Sequence, residues 1–298
     1  MIAPELTQCT LCPRKCRADR TKNTGFCGAG NQIRLARAAL HFWEEPCISG
    51  TNGSGAVFFS GCNLKCCFCQ NAPISSQNFG AAITQKRLAE IFLELQEQGA
   101  NNINLVTAGH YLPQIIPVLE KTKPELRIPI VYNTSSYESV ENLKKLDGLI
   151  DIYLPDFKFF SSETAKKYAN APDYPEIAEK AIREMLRQTG EPVFEKDLLK
   201  AGCIIRHLVM PGHRQESIRL LHYLAENFNT GQFLLSLMAQ YTPMQNSVYP
   251  ELNRRITKME YQSVLRTAQE LNFSGYSQDK SSSNCEYTPD FNLEGVLR

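Results

Sequence analysis

The sequence predicts an α/β fold built on about six parallel strands, with a cysteine-rich segment in front of it. Short apolar runs alternate with amphipathic stretches about six times, and strand–helix units in series form parallel strands joined by right-handed crossovers. The length of 298 residues is enough for one large domain of this kind. Six units are too few for a complete eight-stranded barrel, so the alternatives are a split or partial barrel and a doubly wound sheet.

The strands are predicted from short apolar runs rich in β-branched and aromatic residues. In chain order they cover residues 56–59, 103–106, 128–132, 149–154, 203–210 and 233–238. The helices are predicted from apolar residues spaced three and four apart. They cover residues 85–98, 112–121, 140–146, 163–169, 176–188, 215–228 and 257–271. Thr84 is a suitable N-cap for the first helix, and Thr257 and Glu260 form a capping box at the last.

Three regions follow from this pattern. Residues 1–50 form an irregular, cysteine-rich segment, residues 51–275 hold the strand–helix series, and residues 276–298 form a C-terminal tail. The serine-rich residues 277–284 are typical of a mobile linker to that tail. Tyr287, Pro289 and Phe291 are candidates to dock the tail back on the body.

Bulk composition excludes several classes of protein. The apolar fraction of 43% and the charged fraction of 21% are those of a soluble globular protein. The net charge of +1 gives no overall attraction to nucleic acid or to an anionic membrane. No apolar run approaches the roughly 18–20 residues of a membrane helix, and the N-terminus lacks an export signal. We therefore expect a cytoplasmic protein without a nucleic-acid or membrane partner.

Three cysteines follow the first predicted strand with the spacing Cys-x3-Cys-x2-Cys. They are Cys62, Cys66 and Cys69. A four-iron cubane needs one ligand per iron, so three cysteines would leave one iron open to a substrate or cosubstrate. The alternative is a zinc knuckle that uses these cysteines with Cys67 or a distant residue.

A second cluster of cysteines lies near the N-terminus. Its members are Cys9, Cys12, Cys16 and Cys27. Four thiolates can close a structural zinc site or hold a second iron–sulfur cluster, and the spacing is compatible with both or with no site at all. The remaining cysteines stand apart from the two clusters and are interpreted as buried or incidental thiols: Cys47, Cys67, Cys203 and Cys285.

The loop resembles the signature of the radical S-adenosylmethionine (SAM) family, C-x3-C-x-aromatic-C, with Phe68 at the aromatic position. From about residue 53 to 275 the chain is similar to proteins related to pyruvate formate-lyase activating enzyme, and most similar to an uncharacterised branch of them. Residues 43–46, 48–50, 58–64, 238–243, 250–252 and 254–255 carry this similarity. The resemblance implies a partial (β/α)6 barrel of radical SAM type with a cysteine-rich N-terminal extension.

The resemblance also implies the chemistry. A [4Fe-4S] cluster on the three cysteines would hold the methionine amino and carboxylate groups of SAM on its open iron. One electron, from a donor such as flavodoxin or ferredoxin, would cleave SAM to a 5′-deoxyadenosyl radical. That radical would abstract hydrogen from a protein, a peptide or a small molecule, and a glycyl-radical enzyme or a peptide is the implied partner.

Polar residues follow the strands at the positions where relatives hold SAM and substrate. They are Thr107, Gly109 and His110 after the second strand, Asn133 and Ser135 after the third, Asp156 and Lys158 after the fourth, and Arg206 on the fifth. The stretch 107–110 lacks the Glu and Pro of the Gly-Gly-Glu-Pro-like motif of the activating enzymes. Backbone carbonyls near Thr107–Gly109, or His110, would have to replace them.

Each of these assignments has a structural alternative. His110 is equally well explained as a hydrogen-bonded structural histidine, and Asp156 with Lys158 as a structural salt bridge. His207 lies on the opposite face of the strand from Arg206, which indicates a structural role, and His213 is a weaker candidate. Paired carboxylates such as Glu44 and Glu45 more often form a solvated edge than an acid–base pair, so no role is assigned to them.

Three functions are compatible with these features. The first is a radical SAM enzyme that abstracts hydrogen from a protein or peptide backbone, as a glycyl-radical activase does. The second uses the same chemistry on a small molecule or to crosslink a peptide. The third is a non-catalytic zinc or iron–sulfur binding module, which would need no convergence of Asp156, Lys158 and Arg206 on the cysteine loop.

Overall fold

The structure is a computed structural model that describes residues 4–243, 247–278 and 289–297. Within these residues ten strands are present: β1 (Ile33–His41), β2 (Ser54–Phe59), β3 (Ala81–Ile83), β4 (Ile103–Val106), β5 (Ile130–Thr134), β6 (Ile152–Pro155), β7 (Val193–Glu195), β8 (Leu198–Leu208), β9 (Leu234–Met238) and β10 (Gly275–Ser277). The α-helices of the same residues are α1 (Pro46–Ser49), α2 (Ala72–Ser75), α3 (Gln85–Glu97), α4 (Leu112–Thr122), α5 (Val140–Lys144), α6 (Ser162–Ala169), α7 (Tyr174–Thr189), α8 (Arg214–Asn227) and α9 (Lys258–Glu270).

Nine of the strands form one continuous open sheet. Its order is β10-β9-β8-β6-β5-β4-β2-β1-β3, and β7 pairs only with β8. All pairs from β2 to β10 along this path are parallel, whereas β1 pairs antiparallel with both β2 and β3. Among the described residues no strand pairs with the outer edge of β10 or of β3, so the sheet does not close. The predicted α/β fold with an open, partial barrel is confirmed.

The six predicted parallel strands correspond to β2, β4, β5, β6, β8 and β9. The predicted and observed ends of each strand differ by at most about five residues. The prediction that residues 1–50 are irregular was wrong for Ile33–His41, which form β1. In that stretch Arg34 and Arg37 are three residues apart among alanines, a spacing without the two-residue alternation of a strand. Pairing with β2 and β3 selects the extended conformation there. The division of the chain at residues 50 and 275 stays a prediction.

Capping residues fix the starts of two helices as the sequence predicts. The Thr84 side chain accepts a hydrogen bond from the backbone N–H of Arg87 (3.1 Å), which begins α3. At α9, Thr257 accepts from the N–H of Glu260, and the Glu260 carboxylate accepts from the N–H of Thr257 in return. Each cap satisfies N–H groups that a helix leaves without partners at its first turn.

The two faces of the sheet pack against different partners. Ile130 and Tyr132 belong to the large core shared with the helices, while Val131 between them belongs to a small second core. Since side chains alternate along a strand, Val131 points to the inner face. Cys47 and Ile48 of α1 cover that inner face. The connection between β1 and β2 therefore lies inside the partial barrel.

The end of the chain docks on β1. Backbone hydrogen bonds join Leu293 and Glu294 to Ala36 and Ala38, and the Phe291 ring meets that of Phe58 edge-on at 5.5 Å. The predicted docking of Phe291 is thus confirmed, whereas Tyr287, Cys285 and most of the predicted linker lie outside the described residues. Within the described parts of the chain, none of the helices combines the length and apolar character that crossing a membrane requires.

Candidate functional site

The three-cysteine loop leaves the carboxyl end of β2 and lines a cavity there. Gly61 turns the chain at φ 92°, a conformation that suits glycine, and an added Cβ would come within 2.5 Å of the Cys27 carbonyl oxygen. The cavity has a volume of about 220 Å³, and Cys62, Cys66 and Cys69 all line it. We call it the first cavity. It lies at the edge of the sheet where active sites of parallel α/β folds occur.

Aromatic packing holds the loop in place. The Phe68 ring is buried and meets Phe159 and Tyr168 edge-on at centroid distances of 6.0 and 6.2 Å. Cys67 is exposed, lies outside the cavity lining, and its N–H donates to the Tyr168 carbonyl. This placement disfavours a zinc knuckle that uses Cys67 as a fourth ligand.

Local donors reach two of the three sulfurs. The N–H of Leu64 donates to Cys62 Sγ (3.4 Å), and the Ser75 hydroxyl donates to Cys69 Sγ (3.3 Å). Burial raises the pKa of the Cys66 thiol well above its usual value, although the nearby Lys158 ammonium opposes that rise. Lys158 is thus the cation with the largest effect on the Cys66 thiol.

Charged side chains from two strand ends converge beside the loop. The Arg206 guanidinium donates to Asp156 Oδ1 (2.9 Å), and Lys158 Nζ donates to Asp156 Oδ2 (2.5 Å). Arg206 also donates to Asn133 Oδ1 (2.5 Å) on β5. Burial raises the pKa of Asp156, but Arg206 and Lys158 together hold it below its usual value. The aspartate is therefore ionised and shared between two cations.

Glu44 is part of the same cluster, contrary to the expectation of a solvated edge. Its carboxylate accepts from Arg206 (3.3 Å) and from the side-chain amides of Asn104 (3.0 Å) and Asn133 (3.3 Å). Burial raises its pKa, and the Arg206 charge opposes the rise. The expectation failed because the β1–β2 connection runs inside the partial barrel. The apolar residues Cys47 and Ile48, which are both buried, were the sequence signal that this connection enters the core.

Of the other predicted residues, Thr107, Asn133 and Ser135 line the first cavity with Asp156, Lys158 and Arg206. Thr107 adopts φ 61°, which is rare for a β-branched residue, and such strained positions cluster at functional sites. Its N–H donates to the Asn133 carbonyl (2.9 Å), so the ends of β4 and β5 are fixed to one another.

Gly109 and His110 lie outside the lining of the first cavity. His110 is buried, and its Nε2 is 2.8 Å from the Ser60 carbonyl oxygen, a placement that favours the structural alternative. A Cβ on Gly109 would come within 2.5 Å of the Glu138 carboxylate, which explains why glycine stands there. Their role in holding SAM stays a prediction.

His207 and His213, the other two histidines considered from the sequence, also have structural partners. His207 is buried between the Phe157 carbonyl (2.7 Å) and the Ser217 hydroxyl (2.8 Å), on the side of β8 opposite Arg206. His213 bonds to the Tyr168 hydroxyl (2.8 Å) and lies outside the first cavity. Neither ring is placed to act in the cavity.

The N-terminal segment packs directly behind the three-cysteine loop. The Cys62 N–H donates to the Cys27 carbonyl (3.0 Å). Arg14 donates to the carbonyls of Asn63 (2.9 Å) and Ala169 (2.8 Å), which ties the segment to both the loop and α6. The segment therefore supports the loop from the side away from the cavity.

The four N-terminal cysteines are neighbours in space. Cys9, Cys12 and Cys27 are buried, while Cys16 is exposed. A Cβ placed on Gly25 would lie 3.5 Å from both Cys16 Sγ and Cys27 Sγ, so these sulfurs flank the glycine. Each of the ten cysteines in the described part of the chain is a free thiol.

In residues 4–243, 247–278 and 289–297, no three His, Cys, Asp or Glu side chains converge on the position of a single metal ion. A four-iron cluster spans more than one ion does, so its cysteines need not converge as zinc ligands do. Cys62, Cys66 and Cys69 fit such a cluster, because they line one cavity that continues to the polar ends of the neighbouring strands.

The sequence profile described as Radical SAM superfamily matches residues 56–224. An uncharacterized protein of Methanocaldococcus jannaschii is 31% identical over 275 residues, which cover 89% of this chain and 75% of that protein. A radical SAM methyltransferase from Sphaerobacter thermophilus has a similar fold, with a TM-score of 0.53, 11% identity, and coverage of 78% of this chain and 70% of that one.

Streptococcus suis SuiB, solved bound to S-adenosylmethionine, superposes with a TM-score of 0.50 and 13% identity. The match covers 73% of this chain and 48% of SuiB, so this chain spans about half of that protein. At these identities the two solved structures show a shared fold. The profile match covers more than half of the chain and includes the cysteine loop and the cavity-lining ends of β2, β4, β5, β6 and β8. From this match and the 31% identical relative, the chain belongs to the radical SAM superfamily.

Proposed function

We propose that this chain holds a [4Fe-4S] cluster on Cys62, Cys66 and Cys69, binds SAM beside it, and cleaves SAM reductively to abstract hydrogen from a substrate. Membership of the radical SAM superfamily implies an enzyme that uses this cluster and this cosubstrate. One observation carries the proposal furthest: the three thiols line the same cavity as the polar ends of four parallel strands. A non-catalytic module would need no such convergence.

When bound, the cluster and SAM would supply one-electron cleavage of the sulfonium and a 5′-deoxyadenosyl radical. The protein's own side chains would position the reactants. Asp156 is ionised between Lys158 and Arg206, so it can accept from a ligand hydroxyl without having to lose a proton. Asn133 and Ser135 offer short polar groups at the end of β5, next to this aspartate.

Lys158, besides its ion pair with Asp156, also affects the cysteines through its charge. Its pKa is raised, since attraction to Asp156 outweighs the cost of burial, so the side chain carries a positive charge. A fixed cation beside Cys66 lowers the free-energy cost of a buried thiolate. It also offers a partner for a ligand carboxylate in the first cavity.

The finer features of the function rest on the sequence resemblance. We propose a protein or peptide substrate, with a glycyl-radical enzyme as one such partner, and a one-electron donor such as flavodoxin or ferredoxin. A cytoplasmic location is part of the same proposal, because the clustered cysteines suit a reducing compartment. A neighbouring gene for a glycyl-radical enzyme would support the activase role over modification of a small molecule.

We also propose that Cys9, Cys12, Cys16 and Cys27 hold a second metal site, either zinc or an iron–sulfur cluster. Three of the four are buried, and the hydrogen bond from the Cys62 N–H to the Cys27 carbonyl joins this site to the first. A metal here would stabilise a segment that has few apolar side chains of its own to bury.

The first experiment tests the cluster and the cleavage of SAM. The protein is reconstituted anaerobically with iron and sulfide, reduced, and assayed for 5′-deoxyadenosine. We expect a four-iron spectrum and product from the wild type. From C62A/C66A/C69A we expect no product and about four fewer irons per chain than in the wild type. C67A is the matched control, because Cys67 lies in the same loop but outside the cavity. Product from the triple variant would contradict the proposal.

The second experiment identifies the N-terminal metal. Zinc and iron are measured in the purified wild type and in C9A/C12A, with C203A as a control thiol from β8. Loss of zinc in C9A/C12A would establish a zinc site, and loss of about four irons would establish a second cluster. Equal metal content in both proteins would contradict a second site.

A further inference from the structure

A second cavity, of about 440 Å³, opens beside the first. Its walls come from the β1–β2 connection on one side and from β9 and β10 on the other. The two cavities share the side chains of Trp43, Glu44, Arg206, Met238 and Gln240, so they are continuous. A molecule in the second cavity would therefore extend directly to the site of radical formation.

One wall of the second cavity carries a carboxylate oxygen without a partner. Glu45 is 8% exposed, and its Oε2 has no hydrogen-bond partner among the described residues. Ser236 of β9 lines the same cavity, and its nearby hydroxyl opposes the rise in the pKa of Glu45 that burial causes. A buried carboxylate oxygen without a partner carries a desolvation cost that a cationic donor in the cavity would remove.

The charges around Glu45 leave an excess of negative charge. Three carboxylates, those of Glu44, Glu45 and Asp156, face two cations, Lys158 and Arg206. Asp156 already accepts hydrogen bonds from the Lys158 ammonium and from Arg206 Nε. Glu44 accepts a hydrogen bond from another nitrogen of the same guanidinium. Burial raises the pKa of Glu45, and the neighbouring Glu44 charge adds to the rise against the attraction of Arg206. With all three carboxylates ionised, the cluster would be one positive charge short.

Two aromatic side chains stand at the mouth of the second cavity. Phe42 is 52% exposed and Trp43 is 47% exposed, and both line the cavity. Exposed aromatic rings next to carboxylates are the groups that bind ammonium and guanidinium ions, through the ring face and the charge together.

We propose that the second cavity is a substrate subsite in which Glu45 pairs with a cationic nitrogen, an ammonium or guanidinium group, between the rings of Phe42 and Trp43. The proposal rests on the function proposed above and names the substrate class: a molecule with a basic group. The basic group extends into the second cavity, and the carbon that loses hydrogen lies toward the first.

The test is a binding measurement on the full chain after anaerobic reconstitution. Trp43 is the only tryptophan, so labelling with 5-fluorotryptophan gives one ¹⁹F resonance at the mouth of the cavity. The probes are N-acetyl-lysine-N-methylamide, N-acetyl-arginine-N-methylamide, the uncharged N-acetyl-norleucine-N-methylamide, and n-butylamine. We expect the basic probes to shift the resonance and to bind at least tenfold more tightly than the norleucine probe. Equal affinity for the norleucine probe would overturn the proposal without any variant.

A variant at Glu45 tests whether this carboxylate binds the cationic group of the probes. In E45Q, whose side chain keeps its size, we expect affinity for the lysine probe to fall at least tenfold. E97Q, an exposed change on α3, is the matched control. Unchanged affinity in a folded E45Q would overturn the assignment to Glu45. Binding of the capped lysine but not of n-butylamine would identify a peptide side chain as the source of the cation, and equal binding of both would identify a free amine.

A last measurement tests whether the lysine probe and SAM bind at different sites, because SAM is itself a cation. The lysine probe is titrated again in the presence of saturating SAM, and we expect its affinity to change less than threefold. Competition between the two would overturn the subsite and assign these carboxylates to SAM. The reductive cleavage of SAM by the wild type is measured separately, so failure of the proposed function and failure of this subsite give different results.

Discussion

The two cysteine regions each hold an arginine that is largely shielded from solvent, but the two arginines have different hydrogen-bond partners. Arg206, beside the three-cysteine loop, donates to the side chains of Asp156, Glu44 and Asn133. Arg20, in the N-terminal segment, is 1% exposed and donates to the backbone carbonyls of Gly30 and His110. Arg206 is thus held by side chains, whereas Arg20 is held mainly by backbone carbonyls, with one longer hydrogen bond to Cys9 Sγ (3.9 Å).

This difference separates a binding site from a structural one. Carboxylates and amides can turn toward a ligand, and the cluster around Arg206 retains an oxygen of Glu45 without a partner among the described residues. The carbonyls that surround Arg20 are fixed by the fold and do not titrate. We therefore expect changes near Arg206 to affect chemistry, and changes near Arg20 to affect the stability of the protein.

The largest effect is expected from R206M. Removal of this cation leaves Asp156 and Glu44 without their shared partner, and breaking a buried ion pair costs about 3–5 kcal/mol in the free energy of unfolding. The misplaced side chains should also lower formation of 5′-deoxyadenosine roughly 100-fold. Urea unfolding and product analysis measure the two effects.

R206K is the matched control for charge. It keeps the cation but loses the fork geometry, so it should recover much of the stability and little of the activity. Full activity in R206K or R206M would place Arg206 outside the chemistry.

The next largest effect is expected from R20M. Its three hydrogen bonds to carbonyls lie in a buried environment, and their loss should cost about 4 kcal/mol in the free energy of unfolding. R17M, an exposed arginine of the same segment, should change it by less than about 0.5 kcal/mol. SAM cleavage per folded molecule should fall less than tenfold in R20M. A loss of cleavage in a protein of wild-type stability would contradict the structural role.

The parallel core of the fold could be predicted from the sequence, because six apolar runs alternate with amphipathic helices. The strands that were missed, among them β1 and β3, lack that local signal. β1 carries Arg34 and Arg37 at a helical spacing, and β3 has only three residues. Their extended conformation is set by pairing with distant residues, and no local propensity encodes such pairing.

Two kinds of site residue could be predicted from the sequence: cysteines with a recognisable spacing, and polar residues at the ends of predicted strands. Cys62, Cys66 and Cys69 follow a strand, and Asp156 and Arg206 stand where parallel strands end. Glu44 and Glu45 were given no role, because a pair of carboxylates normally faces solvent. Only the path of the β1–β2 connection through the inside of the barrel buries them, and that path depends on the missed strand β1.

Glu138, which accepts hydrogen bonds from Tyr132 and Thr134 of β5, gives a pH-dependent test of stability. Burial raises the pKa of its carboxyl to about 7, while bonds from Thr134 and Tyr132 oppose the rise. The folded state therefore binds a proton more tightly than the unfolded state, whose pKa is about 4.5. The Glu138 carboxyl therefore contributes its full share to the free energy of unfolding below pH 4.5. This contribution is lost as the pH rises through 7.

The loss amounts to about 3 kcal/mol. E138Q cannot ionise, so its unfolding free energy should lack this part of the pH dependence and should exceed that of the wild type at pH 8. Parallel pH profiles of the two proteins between pH 4.5 and 8 would show the effect. Urea unfolding measures this difference without any need for the iron–sulfur cluster. E141Q, at the exposed start of α5, serves as the control.

The smallest effect is expected from F291A, in the tail that docks on β1. The change removes the edge-on contact with Phe58 and should cost about 1 kcal/mol in the free energy of unfolding. The tail contacts β1, α3 and Phe58 of β2, a residue that also lines the first cavity. Because β2 is held by its pairing with β1 and β4, we expect Phe58 to keep its place in F291A, so metal content and SAM cleavage should match the wild type. A drop in SAM cleavage with unchanged stability would show instead that the tail, whose Pro289 reaches the first cavity, helps to shape it.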